Sequence, residues 1–316
     1  TTNAFTDYAI KFMQDQKDDK PFFLYLAYNA AHTPLLAKEE DKAKVKGLYD
    51  KGWDVVRNNR FEKVKQLGLV PKDLKLSAEA MKPWAELPKD KQKEEIRQMT
   101  TYAAMISNMD KNIGRVTEYL KASGKLDNTL IIYLSDNGAT FHTDYWNMCN
   151  APFTGHKRDT YEGGIAAHCI ISWPKVITGQ QGKITQSPAD IIDIMPTFLQ
   201  VSGAAYPTVF NKHKIQPLEG HSLVPIFSAG TREEPEWFFW EHDENYAVKN
   251  LDWKAVKPND GKNWELYNIK NDRGETKDLA AANPAQLTKL TTQWQKWADT
   301  HHVFPKGTAS SDSTDF

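Results

Sequence analysis

The sequence predicts an α/β fold with a smaller antiparallel sheet and a helix at its carboxyl end. Three observations carry that expectation: apolar, β-branched runs that stop abruptly at polar loops, a long amphipathic stretch between two of them, and a closing series of short aromatic-rich strands. At 316 residues the chain can bury a sizeable core, and length alone permits one large or two moderate domains.

In order, Thr6 to Gln16 carries a helical pattern, and Lys20 to Tyr28 is an apolar run read as a buried strand that passes into Asn29-Ala-Ala-His32-Thr-Pro34. Lys38 to Lys93 is charged and irregular, better read as solvated helix than as a binding patch. Ile96 to Leu120 predicts one long amphipathic helix ended by Ser123-Gly124. Thr129 to Leu134 is nearly all apolar and rich in β-branched and aromatic residues, which predicts a buried parallel strand. Ala166 to Trp173 is a further strand, and Ala189 to Val201 a helix with Pro196 inside it. A polar stretch around Phe227 to Pro235 divides the chain into 1–230 and 231–316. Beyond it, Trp237 to Trp240, Tyr246 to Lys249, Trp253 to Val256 and Trp264 to Tyr267 read as antiparallel strands. Ala285 to Ala298 then closes the chain as a helix whose Leu287, Leu290, Trp294 and Trp297 are spaced for a core face.

Composition excludes more than it assigns. Forty basic residues nearly cancel 41 acidic ones, which gives no electrostatic case for nucleic acid or an anionic membrane and points to a small or weakly charged partner. No run of some eighteen apolar residues is present to span a membrane. Two cysteines do not make a disulfide framework, and whether Cys149 and Cys169 pair is left open by the sequence.

The chemistry concentrates at strand ends. Asp136 and Asn137 follow the Thr129 to Leu134 run, at the sheet edge where α/β proteins bind ligands. A carboxylate beside an amide oxygen is hard-ligand chemistry, suited to Ca²⁺ or Mg²⁺, although Asp-Asn-Gly is also a common turn tripeptide. About twenty residues on, Gly155-His156-Lys157 and Tyr161-Glu-Gly-Gly164 put a cation and a flexible turn in the same neighbourhood, a pattern fit for an anionic ester. His32, in a loop fixed by Pro34, could donate to an anionic oxygen or act as an acid; it could equally bond a nearby carbonyl. His142, His156 and His242 are candidates for contact with a substrate, each with a plain structural alternative.

The order of these blocks resembles the type I sulfatases, the formylglycine-dependent arylsulfatase family of the alkaline-phosphatase-like superfamily. The blocks are Pro21-Phe-Phe-Leu-Tyr-Leu-Ala-Tyr28 through His32-Thr-Pro, Tyr49-Asp-Lys-Gly-Trp-Asp54, Met109-Asp-Lys-Asn-Ile-Gly-Arg115, Ser135-Asp-Asn-Gly138, Gly155-His-Lys157, Tyr161-Glu-Gly-Gly164 and Trp173-Pro174. Asp193-Ile-Met-Pro-Thr197, Pro217-Leu-Glu-Gly-His-Ser-Leu223 and Trp264-Glu-Leu-Tyr-Asn268 continue the series. The resemblance implies a three-layer α/β/α sandwich with a smaller C-terminal subdomain, and hydrolysis of aryl or carbohydrate sulfate esters. It implies Asp136 and Asn137 as metal ligands, Ca²⁺ with Mg²⁺ as the substitute, and Lys157 and His32 as the groups contacting sulfate. It further implies a secreted or periplasmic protein. Arg115, although in a family block, is read as structural because it sits in mid-helix.

The family's nucleophile, formylglycine, arises from a Cys/Ser-x-Pro/Ala-x-Arg motif beside an Asp-Asp pair. Neither Asn147-Met-Cys-Asn150 nor His168-Cys-Ile-Ile-Ser172 fits it. The expectation is therefore that the nucleophile, the first strands and the other metal ligands belong to a preceding segment, and that this chain alone does not turn over a sulfate ester. Two alternatives stand beside it: a phosphodiesterase or phosphonate hydrolase of the same superfamily, and a binder of sulfated ligands without catalysis.

Overall fold

The computed structural model describes residues 1–18, 20–77, 82–140, 150–261 and 263–304. The amino-terminal part is helical. α1 (Thr2–Asp15) buries Thr6, Ala9 and Met13, spaced three and four apart so that they share one face. α2 (Glu39–Lys44) and α3 (Trp53–Gln66) follow, and α4 (Lys89–Ala122) is the long helix that organises them. Asn112 of α4 donates to Asn3 at 2.8 Å, Arg115 reaches Asp7 at 2.5 Å, and Asn108 donates to Asp41 of α2 at 3.0 Å. Arg115 is thereby a fastening between helices, as its mid-helix position predicts. Before α3, Gly52 has φ of +82° and lies so close to the Trp84 ring that no side chain would fit there.

The strands of the α/β part differ from expectation. β1 (Ile131–Leu134) and β2 (Cys169–Ser172), with the short α5 (Glu162–Ile165) between them, pair antiparallel, Ile132 opposite Ile171. The parallel direction read from the apolar run is corrected: an apolar, β-branched run specifies a strand with both faces covered, not the direction of its neighbour. Residues 21–28 are extended and alternate between exposed and half-buried, but they join no ladder among the described residues. Phe23 is 75% and Tyr25 83% exposed there, so the buried strand expected of this run is not seen.

α6 (Ile194–Ser202) accommodates Pro196 in its first turn, where no intrahelical donor is lost, and ends at Gly203 in the left-handed region. A small hairpin, β3 (Val209–Phe210) with β4 (His213–Lys214), and α7 (Val224–Ala229) lead to the last part. There β5 (Phe238–His242), β6 (Asn245–Lys249), β7 (Lys254–Lys257) and β8 (Glu265–Tyr267) form an antiparallel meander, close to the strand limits that the aromatic runs predict. α8 (Pro284–Thr300) packs Leu290, Trp294 and Ala298 onto Tyr246, Val248, Ala255 and Leu266. The opposite face of the sheet presents Ala247 and Val256 to Tyr161, so the meander is covered on both sides. Among the described residues no helix is long and apolar enough to cross a membrane.

Candidate active site

The loop after β1 and the turn spanning residues 155–164 are stitched together by their backbones. Gly138 N–H donates to Gly164 O at 2.8 Å, and Lys157 N–H to Ala139 O at 2.9 Å. Asn150 completes the seam: its Oδ1 accepts from Ala139 N at 2.7 Å, while its Nδ2 donates to Ala139 O at 2.9 Å and Gly155 O at 3.1 Å. The segments approach so closely that a Cβ on Gly138 would overlap Gly163 O, and one on Gly164 would overlap Asp159 O. The Gly-Gly pair and Gly138 are thus explained by contact between backbones, before any ligand is considered.

At this seam Asp136 is exposed and Asn137 half-buried. The Asn137 Nδ2 donates to Gly138 O at 2.9 Å, which leaves its Oδ1 as the ligand-type atom. Two neighbouring oxygen donors of this kind fit part of a hard-cation site. No group of three or more His, Cys, Asp or Glu able to hold a metal occurs among the described residues, so Asp136 and Asn137 offer a share of a coordination sphere.

Lys157 projects from the turn to His32, its Nζ 3.5 Å from His32 Nε2 across 125 positions of sequence. The His32 Nδ1 lies 2.9 Å from Thr33 O; donating there, it leaves Nε2 as the lone-pair nitrogen facing the ammonium. The loop carrying His32 is itself closed by His32 N–H to Asn29 O at 2.9 Å. His156 is turned the other way: its Nδ1 lies 2.9 Å from Lys157 O, and its N–H donates to Asp159 Oδ2 at 3.0 Å. Burial pushes the Asp159 carboxyl above its usual range, with the His156 imidazole opposing. Arg158 has φ of +85°, a conformation rare for a side-chain-bearing residue, and swings its guanidinium to 3.8 Å from Asp243 Oδ2.

That contact brings in His242. It ends β5 beside the turn Asp243-Glu244, both in the left-handed region, and its Nδ1 lies 3.4 Å from Asp243 Oδ2. The hairpin tip therefore stands over the residue next to Lys157. His142 lies outside the described residues, as does Cys149; Cys169 is an exposed free thiol on β2. Residue patterns alone pass over Asn150, whose signal is only a polar side chain close before the Gly155 turn. They also pass over Glu162, whose buried carboxylate lies among Lys249, Lys254 and Arg273.

Family models and known proteins match most of this chain. The family model described as Sulfatase matches residues 1–204, and that described as N-sulphoglucosamine sulphohydrolase, C-terminal, matches residues 154–300. An uncharacterised sulfatase of Schizosaccharomyces pombe is 30% identical over 93% of this chain and 60% of its own length. An arylsulfatase of Klebsiella aerogenes is 33% identical over 68% of this chain and 53% of its own. The solved structure of Ps i-CgsB in complex with k-i-k-neocarrahexaose matches with a TM-score of 0.66 and 30% identity, covering 94% of this chain and 54% of that one. The chain thus spans somewhat over half the length of these relatives.

Proposed function

The chain belongs to the sulfatase family, and from that premise we propose that it supplies the sulfate-gripping side of a hydrolase of glycan sulfate esters. The observation that carries the reading is the meeting of Lys157 and His32 at 3.5 Å, beside the loop that bears Asp136 and Asn137. Ps i-CgsB, holding a neocarrahexaose, supports a carbohydrate sulfate as the substrate class. Neither cysteine of this chain lies in a formylglycine motif and no Ser-x-Pro/Ala-x-Arg takes its place, so the proposal gives these 316 residues the sulfate contacts and part of the metal site, without the nucleophile. Asp136 and Asn137 would hold Ca²⁺, or Mg²⁺ in its place, and a calcium site suits a secreted or periplasmic protein.

When present, the metal ion and a formylglycine hydrate supply a neutralising charge and the attacking oxygen. The residues of this chain do the rest. The Lys157 ammonium is a compact charge that follows a sulfate oxygen as the S–O bond breaks. His32 is held by its Nδ1 contact to Thr33, so Nε2 is the atom turned to the site; once Nε2 has taken up a proton, the imidazolium gives it to the departing alcohol oxygen. His242 and Arg158 line the approach, where a sugar ring would sit. His142 belongs to the same reading by its place in the sequence, between Asn137 and Lys157, whereas the His156 ring is engaged by Lys157 O and is left out of it.

The test is sulfate release by the full-length gene product from carrageenan oligosaccharides and from 4-nitrophenyl sulfate. Replacing Lys157 by Ala should lower kcat by about 10²- to 10³-fold, the usual cost of losing one charge-stabilising donor. Unchanged turnover in that variant, or no sulfate from either substrate with the wild-type protein, would refute the reading.

A further inference from the structure

The face of the C-terminal meander turned toward the site carries two lysines directly opposite each other, Lys249 on β6 and Lys254 on β7. Like charges facing across a ladder repel, and burial raises the cost. Lys254 is fully buried, yet its ammonium lies 3.2 Å from Glu162 Oε1 and 2.7 Å from Glu275 Oε1. Lys249 lies 3.7 Å from the same Glu162 oxygen, and Arg273 Nε 3.3 Å from the other. Glu275 closes the arrangement by accepting from Glu162 N–H through Oε2 at 2.6 Å. Burial works to raise the Glu162 carboxyl, but Lys254, Lys249 and Arg273 outweigh it and hold the group ionised; burial, with Glu162 adding to it and Lys254 opposing, raises that of Glu275.

Such a cluster is a poor source of stability, because a well-packed apolar group of the same volume does as well or better. What it adds is a fixed geometry, and the geometry it fixes is that of the turn. Thr154 Oγ1 donates to Gly274 O at 2.8 Å, Thr160 Oγ1 to Tyr246 O at 3.1 Å, and Tyr161 OH to Glu265 Oε2 at 2.5 Å. The turn is clamped to the meander before its start and along its end, with Lys157 between.

We infer that Lys254, Glu162 and Glu275 form a positioning joint through which the C-terminal sheet sets where Lys157 stands relative to His32 and the Asp136–Asn137 loop. Its catalytic consequence rests on the sulfatase reading; the joint itself does not, since Lys157 can be read directly. The experiment is made on the full-length gene product, with Lys254→Met, Glu275→Leu and Glu275→Gln each confirmed folded by near-ultraviolet circular dichroism. The rate of Lys157 acetylation by a water-soluble acylating reagent is followed by mass spectrometry against surface Lys175, and sulfate release is assayed in parallel. Lys254→Met and Glu275→Leu should change the relative Lys157 rate severalfold, and lower sulfate release by about 10²-fold, the usual effect of a displacement near 1 Å. Glu275→Gln keeps one oxygen, able to accept from Glu162 N–H or from the Lys254 ammonium but not from both, and should fall between wild type and Glu275→Leu in both. Should Lys254→Met not fold, the Leu and Gln variants decide alone. An unchanged Lys157 rate in folded Glu275→Leu, or equal effects of Leu and Gln, overturns the joint. A shifted Lys157 rate in a protein that releases no sulfate upholds the joint and refutes the sulfatase reading.

Discussion

Asn150 is the residue on which the site's internal geometry turns. One side chain uses both ends of its amide on three backbone groups from two segments, beside the two backbone bonds, Gly138 N–H to Gly164 O and Lys157 N–H to Ala139 O, that join the same segments. Replacing Asn150 by Ala should destabilise the protein by about 2–4 kcal/mol, the sum of three ordinary hydrogen bonds with little to replace them. Urea unfolding measures it, and a loss under about 0.5 kcal/mol, the range of an ordinary surface substitution, would show that water takes over the bonds. Gly138 makes a complementary case. Its missing side chain, not its flexibility, is what matters, so Gly138→Ala must push the Gly163 carbonyl aside, at roughly 1–3 kcal/mol or more. Crystallography or the melting temperature would reveal an Ala accommodated without such a shift.

At the scale of elements, two of the blocks that mark the resemblance turn out to be structural. Asp193, just before α6, accepts from His221 N–H at 2.7 Å and Asp190 N–H at 2.8 Å, and pairs with buried Arg232 at 2.7 Å. Thr197 Oγ1 accepts from Leu223 N at 2.8 Å, so the Asp193 and Pro217 blocks hold each other. Asp193→Asn would leave the Arg232 charge buried without its carboxylate, at about 3–5 kcal/mol, and calorimetry should show it; a melting curve superposing on wild type would contradict it. The far end of α8 answers to pH. His301 Nε2 lies 2.6 Å from Glu219 Oε1. Burial pulls the imidazole pKa down, but bonds to Glu219 and the Trp297 carbonyl outweigh it and raise it. A raised folded value means stabilisation that is complete below the unfolded pKa, about 6.5, and lost as pH rises through the folded one. Because both groups are partly exposed, the effect is no more than about 1 kcal/mol and should shrink with salt. Glu219→Gln should flatten the pH dependence of stability in that window; an unaltered slope would assign it to another group.

Across the whole molecule, what could be read from sequence follows from how local each signal is. The carboxyl ends of α1 and α4, both ends of α8 and the four meander strands are written in periodicity and turn chemistry within a dozen residues, so they emerge nearly as expected, whereas α1 begins at Thr2 and α4 at Lys89, ahead of the Thr6 and Ile96 that periodicity marks. Lys157 and His32 are legible as chemistry because Gly155-His-Lys and His-Thr-Pro resemble family blocks, but their meeting across 125 positions is not local. Strand direction and the buried charge cluster were illegible for the same reason: Glu162, Lys249, Lys254, Arg273 and Glu275 acquire meaning only once the meander folds against the turn. That dependence bears on the division at residue 230, which composition alone proposes. If the two parts were independent, residues 1–230 would fold without the rest. The joint argues otherwise, since removing the meander exposes Glu162 at the base of the turn, strips it of three cations, and uncovers Tyr161. A chain ending at residue 230 should therefore lose protection from amide exchange across residues 155–165, while the 316-residue chain protects them and melts in one transition. Retained protection in the shortened chain would make the meander a separate unit, and the placement of Lys157 a property of the α/β part alone.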